Sequence, residues 1–167
     1  RSRSKRGAVR GAGRATGGAR PRVAFYGDDF TGSVDVLLQF ARRGWSARLF
    51  VGRPSALDLA DAAATNDVVG IAGVARSLPA DEIEAEVGPA LDLLLSADPD
   101  IVQYKACSTA DSSPTVGSLG RVLEASRSRF SRTVPILFAQ PARKSGLSGK
   151  SGAPGGRRIL TKKTITT

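Results

Sequence analysis

Two adjacent carboxylates, Asp28 and Asp29, follow a short apolar segment and precede a Thr-Gly turn. The apolar spacing beyond them predicts a helix at 32–43, with Thr31 as its cap and Asp35 in its first turn. Open α/β sheets bind ligands just outside the carboxyl ends of their strands. The three carboxylates are therefore expected to converge at a site. The alternative is that they only balance the positive end of the helix dipole.

A second connection between a predicted strand and a predicted helix is also rich in polar groups. It is the loop that follows the strand predicted at 101–105. Lys105 offers a cation, Asp111 offers an acceptor, and hydroxyls come from Ser108, Thr109, Ser112, Ser113, Thr115 and Ser118. This combination suits a small polyhydroxylated anion such as a sugar acid. The alternative is a Ser/Thr-rich turn whose hydroxyls bond their own backbone.

Three segments carry a family resemblance. They are Gly-Asp-Asp-Phe-Thr-Gly-Ser-Val-Asp-Val from residue 27, Gly-Ile-Ala-Gly-Val-Ala-Arg-Ser-Leu-Pro at 70–79, and Tyr-Lys-Ala-Cys-Ser-Thr-Ala-Asp-Ser-Ser-Pro from residue 104. In order and spacing they resemble the amino-terminal domain of the four-carbon acid sugar kinases, over about residues 22–138. The resemblance implies a domain that binds the sugar acid. In that family a second domain binds ATP, and nothing in this chain resembles it.

The resemblance also implies roles for individual residues. Asp28 and Asp29 would be catalytic, and one of them would accept the proton of the attacking hydroxyl, although the sequence does not say which. Arg76 and Lys105 would hold the substrate carboxylate, since guanidinium pairs well with carboxylate. The remaining substrate-binding candidates are Asp35, Ser77, Ser108, Thr109, Asp111, Ser112 and Ser113. ATP and Mg²⁺ are the implied cofactors, with the ion bound chiefly by phosphates, and no metal site is predicted in the chain.

Charge divides the chain into three parts. Residues 1–22 and 141–167 hold eight and seven Lys or Arg and no acid, whereas the middle holds ten basic and fifteen acidic residues. Basic, Gly-rich ends cannot bury enough apolar surface to offset chain entropy. The tails 1–21 and 141–167 are therefore expected to be disordered, and one domain is expected at 22–140. A truncated or frame-shifted gene product would explain both tails.

The middle is long enough for one domain, and its apolar periods alternate between strand and helix. Alternation predicts a single open, mainly parallel five-stranded α/β sheet with helices on both faces. Pro89 should kink or divide the third helix. The predicted strands are 22–27, 47–51, 67–72, 101–105 and 134–139, and the predicted helices are 32–43, 55–64, 80–96 and 117–130.

Several function classes are excluded by composition. The chain has no histidine, which removes Ser-His and Cys-His nucleophile pairs. Cys107 is the single cysteine, and we interpret it as a small packed residue near a ligand. Gly149-Lys150-Ser151 lacks the preceding glycine of a phosphate loop. No apolar run approaches a membrane span and no secretory signal is present, so cytoplasm is the expected location.

The sequence therefore predicts the substrate-binding domain of an ATP-dependent sugar-acid kinase, inactive by itself. A sugar-acid-binding module without turnover is the alternative from another class. A nucleic-acid binder that acts through the basic tails is the third hypothesis.

Overall fold

Four parallel strands form the centre of the part of the chain that the structure describes. The computed structural model describes residues 20–107 and 112–130. The strands are β1 (Val23–Gly27), β2 (Ala47–Val51), β3 (Val68–Ala72) and β4 (Ile101–Lys105), in the order β2-β3-β1-β4. All three strand pairs are parallel, as the alternating pattern predicts. The fifth strand, expected at 134–139, lies outside the described residues.

Four α-helices and one 3₁₀ turn follow these strands within the described residues. They are α1 (Phe30–Ala41), α2 (Ala56–Thr65), α3 (Ile83–Leu95), α4 (Leu119–Arg127) and the 3₁₀ turn Ala75–Ser77. Side chains of Asp29, Ser55 and Ser118 each accept a backbone N–H in the first turn of α1, α2 and α4, respectively. Such caps satisfy donors that the helix itself leaves unpaired.

The sheet is covered on both faces. Val23 and Phe25 of β1 pack with Val36 of α1 on one face. Ala24 and Tyr26, which alternate with them, belong to the larger core on the other face, where residues of α2, α3 and α4 also lie. A strand that is buried on both sides reads as a continuous apolar run. This explains why β1 could be recognised from its sequence.

Pro89 does not divide the third helix, because α3 is continuous from Ile83 to Leu95; the division is wrong, and a kink at Pro89 stays a prediction. The proline is exposed, and Ile83, Val87 and Leu91 on the same helix are fully buried. A proline removes one ladder hydrogen bond. The burial of one apolar face along the whole helix outweighs that loss.

The structure describes the last two residues of the predicted amino-terminal tail. Pro21 is fully buried, and Arg20 forms ion pairs with Asp98 at 2.9 Å and Asp100 at 2.7 Å. Residues 1–19 and 131–167 lie outside the described residues, so the expected disorder of the tails stays a prediction. Within the described part of the chain, no helix is both long and apolar enough to cross a bilayer.

Gly70 provides a test of the packing in the sheet. It lies opposite Phe25 in the register of β1 and β3, and a β-carbon at Gly70 would overlap the Phe25 ring. Because that ring is fully buried, Gly70→Ala should lower the free energy of unfolding by about 1 to 3 kcal/mol. Urea denaturation of the whole chain measures this change.

Gly120→Ala is the matched control. A β-carbon at Gly120 meets only the Ser118 side chain, at 3.6 Å. In an exposed helix, alanine is favoured over glycine by about 1 kcal/mol, so this variant should be as stable as the wild type or more stable. Equal urea midpoints for the two variants would show that Gly70 is not needed for packing.

Candidate functional site

The candidate site lies at the carboxyl edge of the sheet, around β1. The helix that follows β1 lies on one face, whereas the helices that follow its neighbours β3 and β4 lie on the other. The loops therefore diverge on either side of β1 and leave a crevice, which is where open α/β sheets bind ligands. Residues from all three loops meet there.

Asp28 is the residue that contacts the loops after both neighbouring strands. Its backbone N–H donates to the Lys105 carbonyl at 3.0 Å, and its own carbonyl accepts from the Arg76 N–H at 3.2 Å. Its side-chain Oδ2 accepts from the backbone N–H of Cys107 at 3.1 Å. One residue thus joins the loops after β1, β3 and β4.

The Asp28 carboxyl is 5% exposed. Burial raises its pKa, and the nearby charge of Asp29 acts in the same direction. The Cys107 N–H, Lys105 and Arg76 oppose the increase. Its Oδ1 has no hydrogen-bond partner within the described residues. A buried acceptor of this kind is costly unless a donor reaches it, so Oδ1 is available to a ligand.

Asp29 has a different environment, because both its carboxylate oxygens have partners. Oδ1 accepts from the Gly32 N–H at 3.0 Å, and Oδ2 lies 3.5 Å from Arg76 Nη1. The Asp29 carbonyl accepts from the hydroxyl of buried Ser33 at 2.6 Å. A β-carbon at Gly27 would overlap that hydroxyl. Gly27 therefore makes room for the turn that holds both aspartates.

The cap of α1 differs from the prediction. Asp29, not Thr31, caps the helix, because the Asp29 carboxylate reaches the Gly32 N–H. The helix therefore begins at Phe30, two residues earlier than expected, and Asp35 falls in its second turn. Asp35 is exposed. Its assignment to the first turn was wrong, and its role as a substrate ligand stays a prediction.

Arg76 reaches the same centre from the 3₁₀ turn after β3. Its Nη1 donates to Cys107 Sγ at 3.1 Å as well as facing Asp29. The side chain is 37% exposed, so its charge is open to solvent on one side. A contact of 3.5 Å with a partly exposed carboxylate is worth little by itself.

Lys105 ends β4, in register with Gly27. Its ammonium donates to the Ala106 carbonyl and lies over the first turn of α1, since a β-carbon at Gly32 would be 3.5 Å from Nζ. Among the described residues, two cations and two carboxylates thus share the crevice: Asp28, Asp29, Arg76 and Lys105. Asp111, which was expected at the same edge, lies outside the described residues.

The loops after β3 and β4 are fastened to each other by backbone contacts. Gly117 N–H donates to the Leu78 carbonyl at 2.9 Å, and Pro79 and Val116 form an isolated antiparallel bridge. Gly117 has a φ of 58°, and a β-carbon there would overlap the Arg76 carbonyl. Glycine is needed here for both conformation and space. The loop after β4 therefore also fixes the backbone of Arg76.

Three predicted hydroxyl ligands bond to nearby backbone. Ser77 donates to the Val74 carbonyl at 2.9 Å. Ser112 accepts from the Leu119 N–H, and Ser113 accepts from the Val116 N–H. This is the arrangement that the turn alternative predicts. The other predicted ligands of this loop lie outside the described residues: Ser108, Thr109 and Asp111.

Tyr26 and Glu86 lie next to the site and were not identified from the sequence. The Tyr26 ring stacks on Tyr104 with ring centroids 5.5 Å apart, and the Tyr26 hydroxyl donates to Glu86 Oε1 at 2.9 Å. Burial raises the pKa of both phenols, and the charge of Asp28 adds to the rise at Tyr104. A phenol within an apolar strand is a signal that a polar partner is needed. Nothing in the sequence identifies Glu86 as that partner.

No cluster of three or more metal-ligating side chains occurs among the described residues. Asp28 Oδ2 and both Asp29 oxygens already face protein donors. Asp28 Oδ1 is thus the carboxylate oxygen that faces no donor among the described residues of the crevice.

Known proteins similar to this chain include two curated kinases. The chain is 38% identical over 102 residues to a 3-oxo-isoapionate kinase of Paraburkholderia graminis, covering 61% of this chain and 22% of that protein. It is 36% identical over 107 residues to a 3-oxo-tetronate kinase of Pseudomonas savastanoi pv. phaseolicola, covering 64% and 24%. The chain thus spans about a quarter of the length of the curated relatives it matches.

Solved structures share the fold. A Bordetella bronchiseptica domain of unknown function, crystallised with bound citrate as a domain-swapped dimer, aligns with a TM-score of 0.56 and 28% identity, covering 66% of this chain and 26% of that one. A Haemophilus influenzae protein aligns with a TM-score of 0.53 and 25% identity, covering 64% and 24%.

The family model described as the sugar-binding N-terminal domain matches residues 23–145, well over half of the chain. The match begins at the first residue of β1 and includes every loop that contributes to the crevice. The chain therefore belongs to the four-carbon acid sugar kinase family, and the part that matches is the sugar-binding amino-terminal domain.

Proposed function

We propose that the crevice around Asp28 binds a four-carbon sugar acid, as the substrate site of an ATP-dependent sugar-acid kinase. The observation that carries this proposal is a buried carboxyl oxygen without a partner among the described residues, close to two cations. A sugar acid offers a complementary pair of groups, a hydroxyl that donates and a carboxylate that accepts. The relatives are named for kinases of 3-oxo sugar acids.

The substrate carboxylate is assigned to Arg76 and Lys105. Arg76 presents a planar fork of donors that suits bidentate contact with a carboxylate. Lys105 lies over the start of α1 and adds a compact charge. Both cations also lower the energy of an anion that enters a crevice already holding two carboxylates. A ligand carboxylate would therefore compete with Asp29 for Arg76.

The substrate hydroxyls are assigned to the aspartates, and Asp28 is the better candidate for the base. Asp29 uses its oxygens for the helix cap and for Arg76, whereas Asp28 Oδ1 has no described partner. A general base must lie within hydrogen-bond reach of the proton it accepts, and a raised pKa strengthens it. Asp35, Ser77, Ser108, Thr109, Asp111, Ser112 and Ser113 remain proposed as further ligands.

ATP and Mg²⁺ belong to the proposed reaction, but we assign neither to the described residues. Asp28 Oδ2 and both Asp29 oxygens face backbone N–H groups or Arg76, and Asp28 Oδ1 is assigned to a substrate hydroxyl. In phosphoryl transfer the ion is held largely by the phosphates. The contribution of this chain is to bind and orient the acceptor hydroxyl. ATP-dependent chemistry on a small metabolite suits the cytoplasm.

The alternative function is a sugar-acid-binding module without turnover. Both functions need the same crevice and the same ligand, so binding tests the assignment that they share. Because this chain is expected to be inactive by itself, the two are separated by phosphorylation of the bound acid when ATP, Mg²⁺ and the ATP-binding domain of a relative are supplied together.

The first test is ligand binding. The chain should bind threonate or erythronate in calorimetry and should be stabilised by it in a thermal-shift assay, whereas the corresponding polyol, which lacks the carboxylate, should bind more weakly. Citrate is included in the screen because a solved relative contained it. Arg76→Ala or Lys105→Ala should weaken binding of the acid by about 10- to 100-fold, the value of a charge-assisted hydrogen bond.

Arg53→Ala serves as the control for this test. Arg53 is exposed and follows β2, which is not a neighbour of β1. Its removal should leave the affinity unchanged. If the acid binds the Arg76→Ala and Lys105→Ala variants as tightly as the wild type, the carboxylate assignment is wrong. If no sugar acid binds the wild type, the proposed function fails.

The second test uses the pH dependence of stability. The folded state raises the pKa of Asp28, so the folded state binds its proton more tightly than the unfolded state does. Stability is then lost as the pH rises from the ordinary value of 3.8 through the raised value. Asp28→Asn should therefore unfold at a higher urea concentration than the wild type at pH 7, with a smaller difference at pH 4.

The same variant should lose sugar-acid binding, because the amide is a weaker acceptor and cannot take a proton. Asp35→Asn removes an exposed carboxylate from α1 and should change the free energy of unfolding by no more than about 0.5 kcal/mol at either pH. A difference between Asp28→Asn and wild type that is the same at both pH values would show that ionisation of Asp28 is not the cause.

A further inference from the structure

A buried phenol lies beneath the turn that carries Arg76. Tyr26, the fourth residue of β1, is fully buried, and its hydroxyl donates to Glu86 Oε1 on α3 at 2.9 Å. Its neighbour Phe25 fills the opposite face of the sheet without any polar group. Packing alone would accept a phenylalanine at either position, so the hydroxyl of Tyr26 needs a separate explanation.

The hydroxyl also contacts the turn itself. A β-carbon at Gly73 would overlap Tyr26 Oη, so the backbone comes very close to the phenol there. The backbone N–H groups of Val74 and Ala75 also interact with the phenol oxygen. Arg76 is the next residue along the chain. The phenol thus accepts from the turn and donates to α3 through a single oxygen.

The electrostatic surroundings keep this oxygen neutral. Burial raises the pKa of Tyr26, and the charge and the hydrogen bond of Glu86 raise it further. A neutral phenol can donate and accept at once, which the contact between the turn and the carboxylate requires. Loss of either partner would leave a buried polar group unsatisfied.

The geometry points to Tyr26 and Glu86 as positioning residues for the site: together they hold residues 73–75 in place and so aim the Arg76 guanidinium at Asp29 and Cys107. This inference rests on the proposed function, because it assigns a purpose to the direction of Arg76. Neither residue touches the proposed substrate. They would act only through the turn, and their effect on binding should depend on Arg76.

Isothermal calorimetry of the full chain with threonate or erythronate tests the inference. Tyr26→Phe and Glu86→Ala should each weaken binding by about three- to tenfold, the value of one hydrogen bond. Glu86→Gln keeps an acceptor oxygen and should recover most of the affinity. Glu82→Ala removes a carboxylate one helical turn earlier, at the exposed start of α3, and should bind as the wild type does.

A double-mutant cycle distinguishes positioning from general damage. In an Arg76→Lys background, Tyr26→Phe should cause little further loss of affinity, because the planar guanidinium that the turn orients has already been removed. Wild-type affinity in Tyr26→Phe, or the same loss in both backgrounds, would overturn the inference. Thermal melting checks that each variant is folded.

Hydrogen exchange keeps the inference testable if the wild type binds no sugar acid, a result that would overturn the proposed function instead. Tyr26→Phe should then speed exchange of the amides in residues 73–78 while leaving those of α1 unchanged. Unchanged exchange at 73–78 would show that Tyr26 does not hold this turn in place and would overturn the inference.

Discussion

The structure of the candidate site depends on the burial of one carboxyl group, that of Asp28, at the end of the central strand. Its backbone is bonded to Lys105 and Arg76, and its side chain to the N–H of Cys107. A buried carboxylate is costly in free energy unless donors and cations surround it. The residues that compensate Asp28 are the same ones that could hold a sugar acid. The cost of burying this group and the capacity to bind a ligand therefore have one origin.

Close approach between the loops is the second requirement, and glycine meets it. Gly27 leaves space for the Ser33 hydroxyl, Gly73 for the Tyr26 phenol and Gly117 for the Arg76 carbonyl. In each position a β-carbon would occupy the space of an atom that supports the site. The three loops can thus pack as one unit although the chain separates them by many residues.

The divided roles of the aspartates follow from their surroundings. Asp29 is partly exposed and serves the helix cap, while Asp28 is buried and has an oxygen to spare. Burial raises the pKa of Asp28, whereas the oxygens of Asp29 face the first turn of α1 and Arg76. The hydroxyls can also be divided into those that support the fold and those left for a ligand. The hydroxyls of Ser77, Ser112 and Ser113 each bond to nearby backbone. Composition marks these loops as polar, but only contacts distinguish support from ligand binding.

The sequence by itself determined the parallel α/β class, the bounds of four strands to within one residue, and the crevice shared by Asp28, Asp29, Arg76 and Lys105. These follow from short apolar runs and from the rule that parallel strands end at one edge of the sheet, both of which are local or topological. The true cap of α1, the continuity of α3 through Pro89 and the Tyr26–Glu86 bond were decided by tertiary structure. Each depends on which atoms meet in space. The cap of α1 depends on which carboxylate reaches the first free N–H of the helix. The proline in α3 is tolerated because burial of one face of the helix outweighs one lost hydrogen bond. A hydrogen bond between side chains 60 residues apart leaves no pattern in the sequence that would predict it.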